Sequence, residues 1–557
     1  MRRNYLLLIS LILVLASAFT IPWHWYPREL RLWYSDVMGA KDYVAPPATV
    51  SSVSDAVMEE ACPPDIKGWR KPWVIDGLEI ARSLNCLADN PHAVGAFIKG
   101  TNNVGHKALM EAKLSPDAVV KGRDLDGDGD PDEIHIRLEV VELNGGSPDL
   151  DVPVTQYAIA PGVKPGLWVF APKSLGMSTE NFESLVAQPG LRLPSPSIRI
   201  EQGDKVTVTL ENTHYMPHTI HFHGVDHPFF NDDGEGNDGV PVTSEKPVMP
   251  GMQKSYHMQP RQAGTMFYHC HVEVQAHLLM GLNGLFVIEE NRPNNWVQTF
   301  NVGGGFVRHS SVAVKETYDR EYDLHYQDLD KDLGDSIRSS NDWRVTTRKV
   351  HRDYNINKAD FEYRALNGRS FPYTIRDSLI ITKPDERIKL RVVNAGSEGV
   401  AIHTHGHKVT ITDYDGVESP EAARITRDVV WIAPAQRVDL DLSTKNDGLH
   451  SYGDGVWLMH DHHEKGVTTN GFGPGGNVTA IVYENHLGKD GWPNVHGVGW
   501  ANYLTPGYYD RGSDGYGDAS YHPSLEKGLS YSVRLLLLVL MLSVAAGLLT
   551  FWVKRRD

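Results

Sequence analysis

Four short histidine pairs carry the chemistry of this sequence: His221-Phe222-His223, His269-Cys270-His271, His403-Thr404-His405 and His460-Asp461-His462. In a β-strand, residues i and i+2 project to one face, so each pair presents two imidazoles side by side. Imidazole nitrogen suits copper, zinc, iron and nickel. Eight such ligands are enough for three metal ions with coordination positions left open. A chain with 26 histidines in 557 residues would contain about one such pair by chance. Four pairs in repeat register are not expected from structural histidines alone.

Cys270 adds a second kind of site. If His269 and His271 point to one side of the strand, the thiol between them points to the other. His218 lies three residues before His221, and His277 lies seven after Cys270. One cysteine and two histidines make the trigonal set of a blue-copper electron-transfer centre. The Cys270 backbone would then link that centre to the histidines on either side.

The elements that must hold these groups form an internal repeat. Asp204–Leu210, Asn212 and His221-Phe222-His223-Gly224 are matched by Asp385–Val393, Asn394 and His403-Thr404-His405-Gly406, with the same Asn-to-His separation. Near-alternating apolar residues after a turn predict strands. Each copy carries its second pair further on, as Tyr268-His269-Cys270-His271 and Met459-His460-Asp461-His462. The expected fold is all-β, two tandem Greek-key β-sandwich domains over residues 133–292 and 293–490. A short helix is expected over Ile75–Leu84, weakened by Gly77. The second copy has Val400 at the position of His218 and Asp461 at that of Cys270, so only the first should hold a blue-copper centre.

The motifs His218-x-x-His221-x-His223-Gly224, Tyr268-His269-Cys270-His271 and Ala401-Ile402-His403-Thr404-His405-Gly406-His407 resemble the multicopper oxidase family, in its two-domain, laccase-like branch. The resemblance covers roughly Ile134 to Asn485. It implies cupredoxin-like domains, with the type 1 copper in the first and a trinuclear cluster shared between the two. It places His218, Cys270 and His277 on the type 1 copper, with Leu282 at the axial position or Met280 there if the loop is shifted. It places His221 and His403 on the type 2 copper, and His223, His269, His271, His405, His460 and His462 on the type 3 pair, four coppers per functional unit. His407 matches a family histidine that is not usually a ligand. Asp238 resembles an acidic residue that supplies protons near the cluster, although a plain turn aspartate would look the same. The activity implied is oxidation of a phenol, Fe(II), Mn(II) or Cu(I) coupled to reduction of O2 to water. The interval from Cys270 to His277 departs from most laccases in being longer. Two-domain relatives build the cluster between neighbouring chains, which implies a homotrimer. The alternatives are a copper nitrite reductase-like enzyme, whose relatives lose the histidine after the cysteine, and a non-catalytic copper electron-transfer subunit.

Residues 27–132 read as an accessory segment. It ends in an acidic loop, Asp124, Asp126, Asp128, Asp130 and Asp132, whose alternate carboxylates suit either calcium or a solvated turn. The other two cysteines, Cys62 and Cys86, are left either to form a disulfide, as an oxidising compartment would favour, or to stay as thiols. An acidic loop, Asn231–Glu235, and the methionines Met249, Met252, Met258, Met266 and Met280 suggest handling of a metal-ion substrate. Core packing explains methionines more often.

Residues 1–26 have the layout of a signal peptide or an N-terminal anchor. Residues 491–530 read as a linker, and 531–553 as a transmembrane helix followed by Lys554, Arg555 and Arg556. The catalytic domains are therefore expected on the periplasmic or extracellular side of the cell membrane. A net charge of −16 argues against a nucleic-acid partner.

Overall fold

The computed structural model describes residues 118–509, apart from 124, 126–130, 147–154, 174–190, 292–296, 298, 310–317, 341 and 497, together with strands at 73–75 and 78–80. Both expected membrane segments, Cys62, Cys86 and four of the five calcium-loop aspartates lie outside the described residues. No helix among those described is long and apolar enough to cross a membrane.

Trp73–Ile75 and Leu78–Ile80 pair as an antiparallel hairpin, not as the helix expected over Ile75–Leu84. Asp76-Gly77 between short apolar runs is a hairpin signal, and it outweighs the weak helical periodicity.

Two sandwiches follow. In the first, one sheet has the order 300–301, 197–201, 283–289, 264–269, 221–223, and the other joins 119–121, 133–143, 205–211 and 253–258, with 167–172 also on 133–143. In the second, an eight-stranded sheet is centred on 320–329, 387–394 and 437–443, and a five-stranded sheet has the order 380–382, 479–483, 456–461, 400–404, 429–432. The repeat extends to topology. Glu133–Leu143 runs parallel to Lys205–Glu211, as Arg320–Leu329 does to Arg387–Asn394. Ser197–Glu201 runs parallel to Asn283–Glu289, as Ile380–Thr382 does to Thr479–Tyr483. The first sandwich also takes in Val119–Lys121, from the segment read as accessory, and Phe300–Asn301, beyond residue 292.

Each sandwich buries its own core, for example Ile136, Val208, Phe222 and Phe286 in the first and Leu324, Leu390, Ile402 and Ile481 in the second. The two are joined by an apolar seam, in which Phe267, Leu285 and Val287 meet Val393 and Ala395. A buried ionic network completes the junction. Arg199 donates to both carboxylate oxygens of Asp323, and Arg308 and Arg391 flank Glu321.

Helices are few, and two belong to an insertion in the second sandwich, between its strands 320–329 and 363–366. Lys331–Arg338 starts at Asp330, whose carboxylate accepts from the backbone N–H groups of Asp332 and Leu333. Trp343–Arg348 continues as a wider turn over Lys349–Asp353. Leu333, Ile337 and Val350 of this insertion are buried in the first sandwich's core. The described part of the expected linker contains two 3-10 turns, Trp500–Tyr503 and Pro506–Tyr509.

Candidate metal centre

The repeated asparagines hold the loops that lead into the histidine strands. Asn212 Nδ2 donates to the carbonyls of Met216 and Val248, and its Oδ1 accepts from His214 N–H. Asn394 makes the equivalent bonds to Glu398 and Ile432, and accepts from Gly396 N–H. Beyond each H-x-H pair the chain turns through Gly224 at φ 86° and Gly406 at φ 65°. Both need the left-handed region, and a Cβ on Gly406 would sit 2.3 Å from the Trp457 ring.

Pleating sorts the side chains as the spacing requires. Phe222, Cys270, Thr404 and Asp461 are buried, whereas His221, His223, His271, His403, His405, His460 and His462 are half-buried or exposed. His269, at 5% exposure, is the one histidine of the eight that is buried.

Behind the first strand pair, Cys270 Sγ lies 3.3 Å from His277 Nδ1 and 3.7 Å from His218 Nδ1, all three residues fully buried. The interval from Cys270 to His277 runs into the short helix Val274–Met280, closed by Gly281 at φ 114°. Burial pushes the Cys270 thiol up to about 11 and holds both imidazoles well below their usual range. Neutral imidazoles have the lone pair a metal needs, and a metal would have to displace the thiol proton. Trp168 stands edge-on to His277, with ring centres 5.2 Å apart. Leu282 and Met280 are both buried in the same cluster as Cys270.

On the open side, His221, His223 and His269 bring one nitrogen each within 4.8 Å of one another, and so do His403, His405 and His460. His271 stands 5.6 Å from His221, and His462 stands 5.6 Å from His403, between ring centres. Carbonyl acceptors orient these rings in matching pairs. His221 Nδ1–H donates to Asp238 O at 2.7 Å, and His403 Nδ1–H to Asp428 O at 3.0 Å. His269 Nδ1–H donates to Cys270 O, and His460 Nδ1–H to Asp461 O, each at 3.0 Å. A donating Nδ1 leaves Nε2 as the free lone pair, which is how outer partners fix a metal-binding tautomer. Burial lowers His269 to about 3 and His223 to about 4, so both rings are neutral in the folded chain.

Asp238 stands beside His221. Its carboxylate is 3.3 Å from His221 Nδ1 and 3.5 Å from His227 Nε2. Asn237 pins this loop by donating to the carbonyls of Pro228 and His257. His407 is occupied by the protein at both nitrogens, with His405 O and Tyr483 OH as partners. Asp461 caps the backbone N–H groups of Ala401 and His463.

Elsewhere, Met258, Met266 and Met280 are core residues, so only Met249 and Met252 of the methionine group are exposed. Asp233 in the acidic loop accepts from Glu235 N–H, and Glu235 pairs with Lys254. Asp132, the one described member of the calcium-loop set, is buried and accepts from Leu125 N–H.

Two histidines that the sequence reading passed over complete the centre. His214 Nδ1 lies 2.9 Å from His218 Nε2, and His351 Nε2 lies 3.2 Å from His277 Nε2. His214 was open to detection, four residues before His218. His351 had no local signal, because it arrives on the insertion from the other sandwich.

Family models described as multicopper oxidase match residues 185–293 and 342–472. Among curated proteins the chain is similar to the iron transport multicopper oxidase FET3 of Saccharomyces cerevisiae, 25% identical over 288 residues, 49% of this chain and 37% of that protein. It is also similar to copper resistance protein A of Pseudomonas syringae pv. tomato, 26% identical over 238 residues, 40% of this chain and 37% of that protein. The chain thus spans little more than a third of the length of these relatives. Among solved structures, a blue copper oxidase from Nitrosomonas europaea is 26% identical, with 63% of this chain and 86% of that chain covered and a TM-score of 0.45.

Proposed function

Because this chain belongs to the multicopper oxidase family, we propose that it takes single electrons from a reduced substrate, a phenol or a reduced metal ion, and delivers them to O2, which is reduced to water. When bound, copper supplies the one-electron chemistry and the affinity for O2. His218, Cys270 and His277 would hold the electron-accepting ion, with Leu282 and Met280 buried in the same cluster beside Cys270. His221 and His403 hold one cluster ion, and His223, His269, His271, His405, His460 and His462 hold two more, four in all. Asp238 places its carboxylate beside His221, where it is positioned to relay protons toward the cluster. The carbonyls of Asp238, Cys270, Asp428 and Asp461 keep the rings turned with Nε2 outward.

The observation that carries this reading is the convergence of Cys270 Sγ with two Nδ1 atoms behind a strand whose flanking histidines face the other way. Copper per chain, measured with oxygen uptake using phenols and reduced metal ions as donors, tests it. About four coppers with O2 consumption is the expected outcome; one or two with nitrite turnover sinks it.

The same reading includes assembly. Every ring contact among the eight histidines stays within its own half-cluster, and the second half, with His405 and His462 exposed, faces outward. Neighbouring chains joined head to tail would pair one half with the other, and a closed ring of three satisfies all halves. Mixing inactive His221→Ala subunits with inactive His403→Ala subunits should restore part of the activity. A cluster built within single chains would leave the mixture inactive. The sequence pattern further supports export, a C-terminal anchor at 531–553 with the catalytic domains outside the cytoplasm, and calcium at the 124–132 loop.

A further inference from the structure

Both histidines of the blue-copper set are fully buried, so neither offers a ring edge to a donor. With Nδ1 turned toward Cys270 Sγ, a neutral ring carries its proton on Nε2. That N–H donates to His214 Nδ1 from His218, and to His351 Nε2 from His277. His214 is itself buried, at 4% exposure. His351 is the one ring of the four that reaches the surface, where it is half-buried.

The surface it reaches is locally basic, with Glu273 the acidic group beside His351. Residues 342–358 carry five basic and two acidic side chains, in a protein whose net charge is −16. Arg348, Lys349 and Arg352 lie within three residues of His351, and both arginines are exposed. Arg348 is 3.5 Å from Asp353, and Arg352 has no ion pair among the described residues. Trp343 and Val345, on the same helical run, are 58% and 44% exposed. A basic rim with exposed apolar groups, one imidazole away from an electron-accepting centre, is suited to a macromolecular donor.

We propose that this face of the 342–353 helical run docks a small acidic one-electron carrier protein, with His351 lying between the docked donor and His277. The inference rests on the blue-copper reading of Cys270, His218 and His277. In each encounter the carrier is oxidised by one electron and the centre is reduced by one. Four such electrons and four protons convert one O2 to two waters.

The test is anaerobic bleaching of the blue absorption by two reductants of opposite charge, the acidic protein plastocyanin and the cation hexaammineruthenium(II). In the unmodified protein, the plastocyanin rate should fall as salt is raised and the ruthenium rate should not. In the double variant Arg348→Glu/Arg352→Glu, the ratio of plastocyanin rate to ruthenium rate should drop roughly tenfold or more. Lys445→Glu, an exposed charge reversal on the second sandwich, should leave that ratio alone. An unchanged ratio in the double variant, or a plastocyanin rate indifferent to salt in the unmodified protein, overturns the docking face. Absence of any blue absorption in the copper-loaded protein overturns the blue-copper reading instead, so the two failures are told apart.

Discussion

The two sandwiches share a scaffold down to the asparagine bonds, the parallel strand pairs and the carbonyls that orient His221, His269, His403 and His460, yet they differ on the inward face, above all at one position. In the first sandwich that position is Cys270, which meets His218 and His277 in a fully buried pocket. In the second it is Asp461, which spends its carboxylate on the N–H groups of Ala401 and His463, with Val400 in place of a histidine. The outward face is thus common to both, and the inward face is free to specialise. A strand that alternates faces can hold cluster ligands on one side while the other becomes either a redox centre or a structural cap.

Removing Cys270 breaks this asymmetry most completely. Cys270→Ser should abolish the blue absorption, lower copper content by about one ion per chain and reduce O2 uptake to background, with the outward histidines still occupied. Copper analysis and optical spectra check it. Retention of the blue band would place the electron-accepting centre elsewhere.

The junction between the sandwiches comes next. Asp323→Ala leaves Arg199 buried without its two-point partner, and Glu289 and Glu321, each 3.5 Å away, only partly replace it. Breaking a buried pair from one side costs roughly 3 kcal/mol or more, readable as a shift in the denaturation midpoint. The same network sets a pH limit. Burial would raise Glu321, but Arg308, Arg391 and Arg199 together hold it well below the usual carboxylate range. A depressed folded value stabilises the chain fully above the ordinary value near 4.5, and that stability is lost as pH falls toward the folded one. Denaturation midpoints should therefore decline below about pH 4.5, and less so in Glu321→Gln.

A smaller loss is expected at Asp238. Asp238→Asn keeps the backbone carbonyl that orients His221 but removes the carboxylate. Turnover should fall about 10- to 100-fold with the blue absorption intact. An unchanged rate would reduce Asp238 to a turn residue.

What could be read from the sequence divides along local and long-range lines. The histidine pairs, the Asn-to-His spacing and the Cys270/Asp461 difference were legible because strand periodicity is local. The helix Lys331–Arg338 was open to detection too, from Asp330 at its start and Arg338 at its end. Its destination was not, because Leu333, Ile337 and Val350 pack against the other sandwich, and no pattern within the insertion says so. His351 was missed for the same reason. The methionines were ambiguous because proximity in sequence says nothing of burial; three of the five are core residues, as the core-packing reading had it, and two are exposed.

The mildest substitution asks how much of the asymmetry rests on one residue. Asp461→Cys puts a thiol at the inward position of the second sandwich. It should produce no second blue band, since Val400 occupies the place of His218 and a blue-copper centre needs two histidines beside the thiolate. It should also cost stability, about 1–3 kcal/mol, because the buried N–H groups of Ala401 and His463 lose their acceptor. Adding Val400→His should still give no blue absorption unless a further histidine takes the place that the Val274–Met280 helix gives His277. A blue band from Asp461→Cys alone would mean that the scaffold, and not the inward ligand set, makes the centre.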